Sequence, residues 1–253
     1  MQAREKLYYL RRGSGHTVLI CLKDKKSVSN VLKTILAREA VKYIESGMTV
    51  GLGSGTTARE FVKALAEFGP RDVVLVATSI DSELLAIEVG LGDRLRPLWA
   101  VETIDIAVDG ADEATRDKVL LKGRGGALLR EKIVDYLARR FVVLVEEYKV
   151  VQYIPTRNPI PIEVVPWAWR HVAKAIKDRY GGVAKLRQDG GKLGPVVTDN
   201  GNYIIDWEPS APIQPSLEDE LKLIPGVVET GIFSKRRDAI VIVARENSSV
   251  YTF

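Results

Sequence analysis

The sequence predicts an α/β protein: a Rossmann-like open, mostly parallel sheet with helices on both faces, plus a smaller ferredoxin-like α+β domain. Three observations predict it. Between Ser29 and Val145, short apolar runs alternate with segments of helical period, the pattern of a parallel sheet covered on both sides. Four prolines (Pro155, Pro159, Pro161 and Pro166) then crowd one stretch and mark a domain boundary. Beyond them the elements read β-α-β-β-α-β, the ferredoxin-like order.

The elements follow in order. Residues 1–28 form a basic N-terminal extension whose runs Tyr8-Tyr9-Leu10 and Val18-Leu19-Ile20 suit a β-hairpin. Ser29 or Asn30 caps a helix that ends at Gly47. Residues 29–152 make the Rossmann-like domain. Its strands are Met48–Leu52, Val73–Ala77, Ile104–Val108 and Phe141–Val145, and its further helices are Thr57–Phe68, Ser82–Val89 and Gly125–Ala138. Residues 153–230 make the smaller domain, with strands at 161–165, 183–187, 203–207 and 227–232 and helices at 168–179 and 216–223. Residues 231–253 return to the first sheet through a strand near Ala239–Ala244.

Composition narrows the function. Of 253 residues, 46 % are hydrophobic and 28 % charged, a globular balance that excludes disordered, collagenous and coiled-coil chains. No apolar window reaches membrane-spanning length, and the mixed charges Arg4, Glu5 and Lys6 give no signal-peptide start. One cysteine, Cys21, fits a reducing cytoplasm. Two histidines, His16 and His171, and one cysteine argue against a zinc cage, so any divalent-metal site would be built mainly from carboxylates. The net charge of +4 is concentrated in residues 1–26, which hold seven basic and two acidic groups. The rest of the chain is close to neutral, without the positive field of a nucleic-acid-binding body. His16, His171, Cys21, Trp167 and Trp169 read as parts of the extension, a helix surface and packing.

Four segments carry candidate chemistry. Gly51-Leu52-Gly53-Ser54-Gly55-Thr56-Thr57 joins a strand to a helix. Its glycines permit close backbone approach, the helix start offers unpaired N–H groups, and three hydroxyls add donors, which suits a phosphate; the alternative is a tight turn made for packing. It lacks the last glycine of a dinucleotide fingerprint and the lysine of a Walker loop. Asp109-Gly110-Ala111-Asp112-Glu113 ends a strand, where ligands sit in open parallel sheets. Its two aspartates suit sugar hydroxyls, a lysine or a divalent metal, or simply a polar turn. Lys122-Gly123-Arg124-Gly125-Gly126-Ala127 pairs glycines with cations before a helix carrying Glu131. Glu131 falls at the edge of that helix's apolar stripe, where half-desolvation raises a carboxylate toward a useful base while the helix N-terminus and nearby lysines pull it down; by helix position alone, a surface glutamate is the default. Lys149 follows the last apolar strand.

Taken together, these segments resemble the type A ribose-5-phosphate isomerase family. The stretches that carry the resemblance are Gly53–Ala58, Val108–Glu113, Lys122–Lys132 and Lys149, with Val197–Asn202 and Ile224–Val228 in the smaller domain. The resemblance implies an interconversion of ribose 5-phosphate and ribulose 5-phosphate through an enediolate, with neither metal nor cofactor, in a cytoplasmic homodimer or homotetramer. It implies that Glu131 moves the proton, with Asp109, Asp112 and Lys122 assisting. It also implies that Ser54, Gly55, Thr56, Thr57, Asp109, Gly110, Ala111, Asp112, Lys122, Gly123, Arg124, Gly125 and Lys149 contact the sugar phosphate. Two departures stand out: the stretch 1–28 precedes the family's usual start near Ser29, and Arg124 replaces a glycine found in some members. A non-catalytic sugar-phosphate sensor is the rival reading, but 28 residues are too few for the winged helix such sensors carry. A coenzyme-A-transferase-like enzyme is a second rival, with no use for the Lys122 glycine loop.

Overall fold

A computed structural model describes residues 6–11, 17–22, 25–189, 191 and 193–253. β1 (Lys6–Arg11) and β2 (Thr17–Leu22) pair antiparallel, the hairpin expected of the extension. The first large unit runs α1 (Lys25–Val41), β3 (Thr49–Leu52), α2 (Gly55–Phe68), β4 (Val74–Ala77), α3 (Ile80–Glu88), β5 (Ile106–Gly110), β6 (Glu113–Thr115), β7 (Leu120–Leu121), α4 (Leu128–Leu137), β8 (Arg140–Glu146) and β9 (Val150–Val151). The smaller unit follows as β10 (Ile160–Val164), α5 (Trp169–Tyr180), β11 (Val183–Leu186), β12 (Tyr203–Glu208), α6 (Leu217–Lys222) and β13 (Val227–Thr230). The chain ends with β14 (Ile232–Phe233), β15 (Ile240–Ala244) and β16 (Val250–Thr252).

The main sheet has the order β16-β15-β8-β5-β3-β4. It is parallel throughout except at the edge, where β16 runs antiparallel to β15. Side chains alternate between its faces, as strand pleating requires. Val50, Leu52, Ile106, Val108, Val142 and Leu144 meet α1 and α2 on one face. Ala107, Phe141, Val143, Val145, Val241 and Val243 meet Val134 and Ala138 of α4 and its flank on the other. The smaller unit forms an antiparallel sheet of order β11-β12-β10-β13, the ferredoxin-like arrangement. Val172 and Ile176 of α5 and Leu217 and Leu221 of α6 cover one of its faces.

The structure corrects several boundaries. α1 begins at Lys25 and ends at Val41, so Ser29 does not cap it. The Ser29 hydroxyl lies inside the helix and donates to Glu146 Oε1 at 3.0 Å. α4 starts three residues later than expected, at Leu128, because Gly123 and Gly126 take φ of +97° and +84°, a region that breaks a right-handed helix. The segment expected as one strand at 227–232 divides at Gly231. β13 stays with the smaller sheet, while β14 pairs with β7 in a third sheet of order β14-β7-β6-β9. That sheet, built of two- and three-residue strands, joins the two large units. Trp167 is 94 % exposed rather than packed.

Gly53 shows how tightly the turn after β3 is built. A Cβ there would lie 2.1 Å from Asp109 Oδ1 and 2.5 Å from Asp109 Cβ. Gly53→Ala is therefore expected to lower unfolding free energy by about 1–3 kcal/mol through overpacking, read as a shift in the denaturant midpoint at unchanged m-value.

Candidate active site

A small cavity opens at the carboxyl ends of β3 and β5, against the turn leading into α4. Its wall combines Ser54, Gly55, Thr56 and Thr57 with Gly110, Ala111 and Asp112, then Lys122, Gly123, Arg124 and Gly125, and finally Glu131 and Lys149. Thus the four segments singled out in the sequence converge, and Asp109 is the one substrate-contact candidate that does not border the opening. Strand ends meeting helix starts position most of this wall, and α2 brings the unpaired amides of its first turn to the rim.

Asp109 lies beneath the cavity and is fully buried. Its Oδ1 accepts from the Ser54 and Gly110 amides at 3.0 and 2.6 Å, and its Oδ2 accepts from Lys122 Nζ at 2.6 Å. All its acceptor groups thus serve the protein, tying the β3 turn to the β5 turn. Lys122 also donates to the Gly110 carbonyl at 2.7 Å. Its Nζ stands 3.5 Å from Glu131 Oε2 and 3.8 Å from Asp135 Oδ2. The ammonium thus stands between three buried carboxyl groups.

Burial dominates the electrostatics. Glu131, 4 % exposed rather than a surface glutamate, has its carboxyl pushed up to about 8. Loss of solvent is the main cause; Lys122 opposes it, while Asp109 and Asp112 reinforce it. Burial likewise raises the carboxyls of Asp109 and Asp135. Burial by itself would lower the Lys122 ammonium, but the charges of Asp109, Glu131 and Asp135 outweigh it and hold the group above the usual lysine range. The site thus holds a buried carboxyl with a raised pKa beside a fixed ammonium.

The remaining wall is held by backbone contacts. The Arg124 amide donates to Asp112 Oδ2 at 3.1 Å, and Lys149 Nζ donates to the Ala111 carbonyl at 2.9 Å. Burial lowers the Lys149 ammonium, with Lys33 of α1 and Lys122 adding like charge. Arg187, from the smaller unit, donates to the Gly123 and Arg124 carbonyls at 3.1 and 2.9 Å. Its guanidinium is fixed by Asp206 through contacts of 2.8 and 2.5 Å. The Ser54 hydroxyl turns away from the cavity and bonds Thr78 Oγ1 and Ser79 Oγ, both at 2.8 Å. Both the amide and the hydroxyl of Ser54 thus bond within the protein, while Thr56 is exposed and Thr57 is buried at the wall.

Sequence reasoning missed Lys33, Arg187, Asp135 and the hydroxyls Thr78 and Ser79. Only Asp135 carried a signal, as an acidic residue one helical turn beyond Glu131 on the same face. Among the described residues, no group of three or more His, Cys, Asp or Glu side chains is arranged to hold a metal ion, and no helix is long and apolar enough to cross a membrane.

The fold is that of an α/β enzyme with a small cleft at the carboxyl ends of its parallel strands. Comparison with known proteins places it further. The family model for ribose 5-phosphate isomerase A (phosphoriboisomerase A) matches residues 74–248. Ribose-5-phosphate isomerase A of Pyrococcus horikoshii is 44 % identical over 220 residues, covering 85 % of this chain and 95 % of its own. That of Thermococcus kodakarensis is 47 % identical over 216 residues, covering 83 % and 93 %. A D-ribose-5-phosphate isomerase solved with phospho-erythronic acid superposes with a TM-score of 0.83 at 44 % identity, over 88 % of this chain and 97 % of that one. Ribose 5-phosphate isomerase A of Methanocaldococcus jannaschii gives 0.80 at 40 % identity, over 89 % and 100 %. The chain belongs to the ribose 5-phosphate isomerase A family, and its activity is the interconversion of ribose 5-phosphate and ribulose 5-phosphate.

Removing the cation should unbalance this site. Lys122→Met is expected to cost about 3–5 kcal/mol of stability, the range for stripping one partner from a buried ion pair, measured by urea unfolding at pH 7.

Proposed function

We propose that Glu131 is the base that carries the proton between C2 and C1 of the open-chain pentose phosphate. In the forward direction its carboxylate takes the C2 hydrogen while the C1 carbonyl oxygen gains charge, giving an enediolate. The same carboxyl returns the proton to C1 as the C2 oxygen becomes the ketone. Lys122, fixed 3.5 Å from Glu131, supplies positive charge beside the developing oxyanion without reorganising. Asp112, bordering the cleft, handles the hydroxyl proton and the ring-opening step. Asp109 acts through Lys122 and the two backbone turns it ties together. The amides of Gly55, Thr56 and Thr57 and the Lys149 ammonium receive the phosphate, with the Gly110, Ala111 and Gly123–Gly125 backbone shaping the sugar site. This division follows from Lys122 being the lysine beside the base. The phosphate lies away from the reacting carbons, so its binding energy orients them. No metal is invoked, because a cation already stands at the oxyanion.

The single observation that carries this reading is the placement of Glu131: buried, bordering the cleft, and within reach of Lys122. The non-catalytic sensor reading gains no support from it. A cytoplasmic enzyme acting as a homodimer or homotetramer completes the proposal. The lone cysteine supports the compartment. The assembly is supported by exposed apolar side chains, including Ile80 at 48 %, Trp99 at 88 % and Leu137 at 61 %.

In chelator-treated protein, Glu131→Gln is expected to lower kcat by about 10²–10⁴-fold with KM changed little; near-normal turnover would remove Glu131 as the base. For the wild type, kcat/KM should climb as pH rises toward about 8, because the carboxylate form of Glu131 accumulates through that range. A profile already flat from pH 5 upward contradicts the assignment. Light scattering should report a dimer or tetramer, and a monomeric mass refutes the assembly.

A further inference from the structure

We propose that Asp135 is a positioning residue of this reaction: it is the alternative acceptor for the third N–H of Lys122, and by competing for that hydrogen it keeps Glu131 free for the substrate. An ammonium has three N–H groups. Lys122 commits two, to Asp109 Oδ2 at 2.6 Å and to the Gly110 carbonyl at 2.7 Å. The third faces Glu131 Oε2 at 3.5 Å and Asp135 Oδ2 at 3.8 Å. Both distances exceed a well-formed N–H···O bond, and Glu131 Oε2 and both Asp135 oxygens have no hydrogen-bond partner. One donor thus stands between two acceptors on successive turns of α4.

Packing does not account for an acidic residue at 135. Its side chain is fully buried, and an unpartnered buried polar group is costly. The charged groups facing it are Lys122 from the end of β7, Asp109 from β5, Glu131 from its own helix, and Arg236 from the segment before β15. Arg236 Nη1 donates to the main-chain carbonyl of Asp135 at 2.6 Å, leaving the carboxyl without that partner. Burial raises the Asp135 carboxyl well above its usual range, and its oxygens stay open to the third N–H of Lys122. Were Lys122 to close fully on Glu131, the carboxylate would be stabilised and become a weaker base.

The inference rests on Glu131 being the base. Its test compares pH profiles of Asp135→Ala, which removes the acceptor, with Asp135→Asn, which keeps a carbonyl oxygen. For Asp135→Ala the acid limb of kcat/KM should move down by about one pH unit as Glu131 gains the third N–H. Plateau kcat should fall by about five- to tenfold while KM stays within about twofold. Asp135→Asn should keep its limb within about 0.3 unit of the wild type. Thermal melts establish that each variant is folded; if alanine does not fold, Asp135→Val removes the acceptor at closer volume and carries the same reading. A limb unmoved in the folded Ala or Val variant overturns the proposal, as does an Asn variant shifted as far as Ala. Either result beside an inactive Glu131→Gln leaves the base assignment standing, whereas near-normal turnover by Glu131→Gln removes both.

Discussion

The ammonium of Lys122 is the interaction on which the rest of the site depends. It is 2 % exposed and surrounded by Asp109, Glu131 and Asp135. Charges removed from water need good geometry and further hydrogen bonds to be tolerated, and Asp109 meets that requirement by also binding two backbone amides. The arrangement divides labour among three chemically similar groups. Asp109 is saturated and structural, Asp135 lacks partners, and Glu131 alone borders the cleft. Environment, rather than residue type, sets these three groups apart.

Holding that ammonium in place requires backbone from several parts of the chain. The Lys122 amide donates to the Gly231 carbonyl at 2.9 Å, and the Gly231 amide donates to the Pro161 carbonyl at 2.7 Å. The strand carrying Lys122 is therefore clamped where the smaller unit rejoins the larger one. On the opposite side, α4 is anchored by Lys132, whose Nζ reaches Glu229 Oε1 at 2.8 Å and the Ile232 carbonyl at 2.7 Å. The residue after the proposed base is thus bound to the smaller unit, while the base itself faces the cleft. Arg130, the residue before it, reaches the turn at 198–202 through Asn200 Oδ1 at 2.8 Å.

Most of the architecture was legible in the sequence because strand and helix periods are strong over four or more residues. Apolar runs such as Ile104–Val108 and Phe141–Val145 are read from apolar character alone, and the strands form at Ile106–Gly110 and Arg140–Glu146. The third sheet was not legible, since strands as short as Leu120–Leu121 carry no period. The start of α1 was misplaced because Ser29 has the chemistry of a cap, but its hydroxyl serves Glu146 instead. At the site, glycine-bearing turns announced three walls of the cleft correctly. The division between Asp109 and Asp112 was hidden, because it depends on which of two aspartates a distant lysine meets. Glu131 was ambiguous for a related reason: helix spacing placed it at an edge, and only the packed neighbours decide whether that edge is wet. Arg187 was invisible, as its contacts are to main-chain carbonyls more than sixty positions away.

Arg187 also bears on how the two units cooperate. By gripping the Gly123 and Arg124 carbonyls, it makes the curvature of the glycine loop depend on where β12 places Asp206. The position of the smaller sheet is therefore coupled, through Asp206 and Arg187, to the glycine loop at the cleft rim. The smaller unit, which contributes no side chain to the cleft wall, works as its chassis, and sequence drift at its β11–β12 edge would retune substrate fit without touching a reacting atom.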